Sequence, residues 1–522
     1  MHSSSMQSIG NQIGYKVRNI AHYGQPQIEI NLDGGHGPTG RYVTSYSTMD
    51  TITGTVSVTA AHDTRFEDIE IAFTGTSQVF VDRLTTTPSI SGRTEATHRF
   101  LTLKQPINEA DLPQPRSLVA GKKYVFPFIF TIPSQLLPRA CPHTVASDHV
   151  RETHLMLPPS LGDPDLAGHS GALLDDLAPE MSKIIYGIKA RITQIREADG
   201  AVSLIAEKMK KVRVKPAFEE QPPLNVDPFD PEYRIRHEKV IRKGFFKGKL
   251  GTLTAQSAQP KPLVIPGARS VPNAQITTMA TVLLRFDPAD ESNAPPRLGS
   301  LATKMKVSTF YASAPRQNFP ARASLGIDLT QGVYQESVSL SSLCVGSAQW
   351  KKHTSASNPA LDDSIERRDS GISDCSSTSA NNARNAGILT QPKNYQGGSF
   401  YTAKILVPIT LPNNKNFIPT FHTCLISRIY GLSLQLSIHA PGVSDPSVHL
   451  KVPIQICAEG SITGNENARA RSVEASVARE ADSMFTPRSV APPNPYAHER
   501  EDLPPEYAVY APRHTSGVTV VG

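Results

Sequence analysis

The sequence predicts an all-β protein of two tandem immunoglobulin-like β-sandwich domains. Three observations predict it: repeated stretches of strict apolar and polar alternation, 43 prolines interspersed with Ser and Thr, and no alternation of strand and helix patterns along 522 residues. The length exceeds what one hydrophobic core usually serves, so two domains with a linker are expected. Hydrophobic residues make up 39% and charged residues 19%, which leaves room for disordered segments beside the folded body.

Residues 1–12 carry no pattern and read as a disordered amino terminus; a first sandwich is expected over 13–215. Alternation puts successive side chains on opposite faces of a half-buried strand. In QIEINL the apolar set is Ile28, Ile30 and Leu32, and in TITGTVSVT it is Ile52, Gly54, Val56 and Val58. DIEIAF repeats the period at Ile69, Ile71 and Phe73, KYVFPFIFTI at Tyr124, Phe126, Phe128, Phe130 and Ile132, and YGIKARI at Tyr186, Ile188, Ala190 and Ile192. Pro127 then points outward, where an edge strand tolerates a missing donor.

PAFEEQPPLNVDPFDPEY spoils both helical and strand periods, so a linker is expected at 216–232 and a second sandwich over 233–457. Its clearest strands are TVLLRF (281–286), KILVPIT (404–410), YGLSLQLSI (430–438) and VHLKVPIQI (448–456). Residues 351–398, rich in Ser, Asn, Asp and Arg, read as a disordered insertion, and 459–522 as a disordered tail.

Several chemistries are set aside. The amino terminus lacks a basic segment followed by an apolar one, and no apolar run approaches the length of a membrane span, so a soluble protein made in the cytosol is expected. Cys141, Cys344, Cys375, Cys424 and Cys457 are odd in number, far apart and without a C-x-x-C pair, and read as reduced packing thiols. Gly35, Gly37 and Gly40 have dinucleotide-loop spacing, but Pro38 and a β-branched run follow in place of a helix. GHSG at 168–171 lacks the second glycine of a nucleophile elbow. His143, His149 and His154 read as solvated loop histidines, because their spacing matches no structured zinc site. No catalytic residue, cofactor or metal is expected.

The formal charge of +6 is unevenly spread. RIRHEKVIRKGFFKGK, residues 234–249, carries seven Lys or Arg against one Glu and so equals the excess of the whole chain. The candidate binding residues there are Arg234, Arg236, Lys239, Arg242, Lys243 and Lys247; KMKKVRVK adds Lys208, Lys210, Lys211 and Arg213 on the other side of the linker. Such groups make charge-assisted bonds to phosphate and carboxylate, which suits acidic or phosphorylated cytosolic segments or anionic lipid headgroups. No recognition helix or stacking module accompanies them, so nucleic acid is not expected. The bland alternative is a solvated strand face.

Taken together, IEINLDG…MDTITGTVSV…FEDIEIAFTG, GKKYVFPFIFTIP and YGIKARI resemble the arrestin amino-domain, and FIPTFHTCLISRIYGLSLQLSI…HLKVPIQI resembles the closing strands of the arrestin carboxy-domain. The likeness runs over residues 13–457. The tail carries Pro504, Pro505, Glu506 and Tyr507, a PPxY motif, as do the alpha-arrestins, the arrestin-related trafficking adaptors. Adjacent prolines pre-form a polyproline II ridge for a WW-domain groove, and the tyrosine fixes register.

The resemblance implies an arrestin-like adaptor that joins a WW-domain HECT-type ubiquitin ligase to cytosolic segments of plasma-membrane transporters or receptors. Such a protein is cytoplasmic and is recruited peripherally to plasma membrane and endosomes. The alternative is an arrestin-fold structural protein of an endosomal sorting coat, acting without the ligase. The sequence departs from the family in its long insertion and in PPNPY, which separates paired prolines from Tyr496. Arg367 and Arg368 precede Ser370 in an R-R-x-S arrangement, and RARS ends at Ser472; phosphorylation at either would offer a handle to phosphoserine readers such as 14-3-3 proteins.

Overall fold

The computed structural model describes residues 24–33, 45–83, 92–163, 174–226, 230–243, 248–267, 275–326, 328–354, 398–439 and 447–485. These residues are mostly β-strand, in two β-sandwiches. In the first, a sheet ordered Gln27–Leu32, Thr51–Thr59, Lys123–Thr131 faces a second sheet. The latter is ordered Ser45–Tyr46, Val202–Val214, Ser182–Ile195, Asp68–Arg83, Gly92–Gln105. The alternating residues read from the sequence line the space between them: Ile52, Val56, Phe73, Phe128 and Ile188 are all buried. Phe73 stacks on Tyr186 at 5.9 Å between ring centroids, and the Tyr186 hydroxyl donates to the Pro158 carbonyl at 2.6 Å, so the buried phenol is satisfied.

Lys123–Thr131 is an edge strand. Its even-numbered side chains from Phe126 to Phe130 are buried while Val125, Pro127 and Ile129 face outward. On its open side the Ile129 N–H donates to the Gln105 side-chain oxygen at 2.9 Å. Gly54 lies between two strands, opposite Leu32 on one side and Phe128 on the other. A Cβ there would overlap the Asn31 carbonyl oxygen and the Phe128 ring.

In the second sandwich one sheet is ordered Arg236–Arg242, Lys249–Ser257, Thr277–Pro288, Phe400–Thr410, Lys351–His353. The facing sheet runs Gln331–Cys344, Arg297–Ala312, Ile426–His439, and the last of these also pairs with Phe421–His422 and Ser447–Ile454. Residues 355–397, most of the expected insertion, lie outside the described residues. Lys351–His353 do not belong to an insertion: they pair with Phe400–Thr402 as a sheet edge.

Two expectations need correction. The stretch 216–232 is not a free linker, because Phe218 forms a bridge with Ala458, and the Gln455 side-chain amide accepts from the Gln221 backbone N–H and donates to the Gln221 carbonyl, both at 3.0 Å. The tail is not without regular structure, because Ile462–Phe485 is a helix. Its sequence is rich in Ala, Glu and Arg and contains no proline, and the Ser461 hydroxyl accepts from the Gly464 N–H at 2.9 Å as an N-cap. The chain divides into a compact unit ending at Ala468 and a second unit from Arg469.

Gly54→Ala is expected to cost about 2 kcal/mol or more, since both neighbours of the added methyl are held in a ladder. Urea unfolding of the two proteins checks this; an unchanged midpoint would show that the neighbouring strand can give way.

Candidate functional site

The seam between the sandwiches is apolar. Tyr311, Ile418, Phe421, Cys424, Leu425 and Ile426, all carried by the second half of the chain, are buried in the same cluster as the core of the first sandwich. In the opposite direction Leu177, in the segment leading to Ser182–Ile195, is buried in the core of the second. Arg428 fixes that insertion. Its guanidinium is sealed from water and donates to the Asp176 carbonyl at 3.0 Å and the Leu177 carbonyl at 3.1 Å. Just outside, Lys415 bonds the Asp175 carboxylate at 2.7 Å and the Asn416 N–H donates to the Asp175 carbonyl at 2.8 Å. Burial alone would raise Asp175, but the bonds from Lys415 and the Leu177 N–H prevail and hold its carboxyl below the usual range.

A second tie closes the chain back onto its start. The Asp50 carboxylate accepts from the Ser47 N–H at 2.7 Å, from the Thr463 hydroxyl at 2.8 Å and from the Ser461 hydroxyl. The Asn467 side chain donates to the Met49 carbonyl at 2.9 Å, and the Ala217 N–H donates to the Thr48 hydroxyl at 3.0 Å. One short turn of the first sandwich therefore holds both the connecting segment and the start of the terminal helix. Near the connecting segment a cleft of about 300 Å³ opens between the sandwiches, lined by Phe218, Leu224, Tyr233, Phe310, Phe319 and Phe421. His422 lies against Phe319 at 4.9 Å, and burial pushes its ring down to about 3, so it is neutral there.

The basic residues fall into two groups on separate sandwiches. Lys208 and Lys210 are exposed, although they share the strand parity of the buried Ala206 and Val212. Lys211 is engaged with the buried Asp163 at 2.8 Å, and Arg213 is half-buried, with burial lowering its guanidinium below its ordinary value. On the other sandwich Ile241 faces the core while Arg234 and Arg242 are exposed. Arg236 pairs with Glu238 at 2.6 Å, Lys239 donates to the Ser447 carbonyl at 2.9 Å, and Lys243 is half-buried. Lys247 lies outside the described residues. Burial, then Arg234 and Lys239, depress the His237 ring, which marks this edge as electropositive.

The expectation of solvated loop histidines is corrected. His154 ends a short helix, Asp148–His154, and is 3% exposed. His143 and His154 converge with Cys141 and Cys424, whose donor atoms all lie within 4.8 Å of one another. Cys141 Sγ is 3.3 Å from His143 Nε2 and 3.7 Å from His154 Nδ1. Burial first, then His143, Arg316 and Arg151, push the His154 ring down to about 4, and burial together with Cys141 raises the Cys424 thiol. Cys141 and Cys424 are unbridged and buried, and they face a side-chain cluster at the seam as well as the core. His149 instead packs on Phe319 at 5.4 Å.

Ser472 is exposed on the terminal helix, and its hydroxyl donates to the Arg469 carbonyl at 2.8 Å. Ser370, the PPxY residues Pro504, Pro505 and Tyr507, and the glycines of the 35–40 and 168–171 stretches lie outside the described residues. Among the described residues no helix is long and apolar enough to cross a membrane.

This architecture defines a tandem β-sandwich protein with a tightly tied interdomain seam. Residues 39–151, which form much of the first sandwich, are similar to the family model described as arrestin (or S-antigen), N-terminal domain. No curated protein matches the chain.

Asp50→Ala removes one acceptor that serves three donors. A loss of about 1–3 kcal/mol is expected, together with faster amide exchange over 461–468. Unaltered exchange in that segment would show that the remaining contacts suffice to hold it.

Proposed function

We infer that this protein is a non-enzymatic adaptor: the sandwiches engage a cytosolic segment of a membrane protein, and the tail holds a WW-domain HECT-type ubiquitin ligase. The observation that carries the reading is the arrestin N-terminal domain match over 39–151, in a chain that continues as a second sandwich and carries PPEY at 504–507. Arrestin-like domains act by binding, and a tethered ligase has a raised effective concentration at whatever the sandwiches hold. Cargo is thereby ubiquitylated and sorted into endocytic vesicles.

The cargo-facing charges are read as the exposed pair Lys208 and Lys210 and the exposed edge with Arg234, Arg242 and Lys243. Acidic or phosphorylated peptides and anionic headgroups are the chemistry these residues favour. Ser370 and Ser472 are the phosphorylation sites of this reading, and the helical setting of Ser472 works against a kinase that reads extended chain. A 14-3-3 protein would read the phosphoserine.

Tyr507→Ala is expected to abolish capture of a WW domain by the full chain and to leave its unfolding midpoint unchanged. Equal capture by both proteins would remove the ligase from the reading and favour the coat-like alternative. Arg242→Glu with Lys243→Glu should weaken binding to vesicles containing phosphatidylserine and to an acidic phosphopeptide. Binding by the unsubstituted chain should fall as salt rises, because exposed charges are screened over about 8 Å at physiological ionic strength. WW binding should not change. A flat salt response with unchanged binding would return these residues to a solvated strand face.

A further inference from the structure

Cys141, His143, His154 and Cys424 carry more chemistry than packing requires. Two thiols and two imidazoles from three separate backbone segments point their donor atoms into one small volume, and those atoms all lie within 4.8 Å of one another. In a tetrahedral zinc site, bond lengths of about 2.3 Å to sulfur and about 2.0–2.1 Å to nitrogen imply donor-to-donor separations of roughly 3.4–3.8 Å. The two sulfur-to-nitrogen distances, 3.3 Å and 3.7 Å, already bracket the value that geometry needs. The remaining separations would contract by at most about 1.4 Å to meet it.

The surroundings hold the donors in place. The His143 Nδ1 lies 3.0 Å from the Thr144 carbonyl, so the Nδ1–H donates there and the Nε2 lone pair faces the cluster. Cys141 follows a short helical turn, its N–H bonded to the Pro138 carbonyl at 3.0 Å, and Arg151 donates to its carbonyl at 3.1 Å. The Leu136 N–H donates to the Leu155 carbonyl at 2.7 Å, which docks the segment before Cys141 against the end of the His154 helix. From the second sandwich, Cys424 sits in a turn closed by Thr423 and Ile426, and its carbonyl accepts from the Arg316 N–H at 2.9 Å. Its Sγ lies 3.8 Å from the Ala140 carbonyl of the first sandwich.

We propose that Cys141, His143, His154 and Cys424 form a structural site for a divalent metal of the zinc class, clamping the two sandwiches across their seam. Three ligands come from the first sandwich and one from the second. Binding one M²⁺ releases the two thiol protons to solvent, and the resulting complex of two thiolates, two neutral imidazoles and the ion has no net charge. A neutral complex avoids most of the desolvation cost that a buried bare charge would carry. The full set of four protein ligands leaves no open position, which is the pattern of a structural and not a catalytic site. Because the unfolded chain does not hold the four donors together, the metal stabilises the folded, docked arrangement.

The test uses the full chain produced with zinc in the medium and dialysed before elemental analysis. Equimolar zinc is expected. Cobalt(II) added to the chelator-treated protein should give thiolate-to-cobalt charge transfer and the strong visible bands of a tetrahedral site. Cys424→Ser should lose both signals, but it alters a buried position. His143→Ala is the companion variant, since His143 is the least buried of the four and its loss leaves both cores filled. It should weaken cobalt binding at least tenfold while the protein remains folded by circular dichroism. Chelation should lower the melting temperature of the unsubstituted chain and leave that of His143→Ala unchanged. The proposal falls if the unsubstituted chain binds neither zinc nor cobalt. It falls equally if His143→Ala binds as tightly, or if the Cys141 and Cys424 thiols appear only after reduction, which would make the pair a disulfide.

Discussion

A guanidinium sealed from water at Arg428 holds the two sandwiches in register, because its terminal nitrogens bond the carbonyls of Asp176 and Leu177 while the Leu177 side chain is buried in the opposite core. Burying a charge is costly unless its donors find partners, and the two terminal nitrogens find theirs here while Nε makes no hydrogen bond. Sliding the sandwiches by one residue would strand those donors, at a cost of a few kcal/mol, and would pull Leu177 out of its cavity as well. The polar bonds and the apolar insertion thus demand the same relative position. Asp50 adds an independent constraint from the other end, gathering Ser47, Ser461 and Thr463 on one carboxylate.

The strands were legible in the sequence wherever one face is wet. Ile28 and Ile30, Ile52 to Val58, and Leu432 to Ile438 alternate as written and are buried as written. Strands such as Gly92–Gln105 and Gln331–Cys344 are harder to read because most of their inward positions are only half-buried and mix polar residues such as Thr94, His98 and Glu336 with apolar ones. The terminal helix was missed for another reason. Its apolar residues are few, and its signal lies in intrinsic propensity and in the Ser461 cap, which a search for hydrophobic periods does not weigh.

The seam was the least legible part. Arg428 sits two residues before a clean alternating run and on its inward parity, but its charge argues against burial and the sequence names no partner for it. Cys424 and Cys141 looked unrelated because the chain brings them together only through the docking of two folded bodies. Cys141 and His143 do form a short C-x-H word, and its approach to a histidine eleven residues on is a signal that spacing rules for compact zinc modules do not capture. Among the basic residues, Arg236, Lys239 and Lys211 are engaged within the fold, which a charge count along the sequence does not reveal.

The edge strand Lys123–Thr131 has a consequence for how other chains can approach. A foreign strand adding to a sheet must exchange amide hydrogens and carbonyls along the open side of the last strand. Here Pro127 offers no hydrogen, and that of Ile129 is taken by Gln105. The rim of this sheet is therefore a poor template, even though Val125 and Ile129 expose apolar surface there. Fibre-like stacking of one copy on the next along this strand is disfavoured at those two rungs, and a guest peptide gains little by lying alongside it in extended form. A partner that meets this edge must be gripped by side chains, which favours selection by chemistry over capture of an exposed backbone.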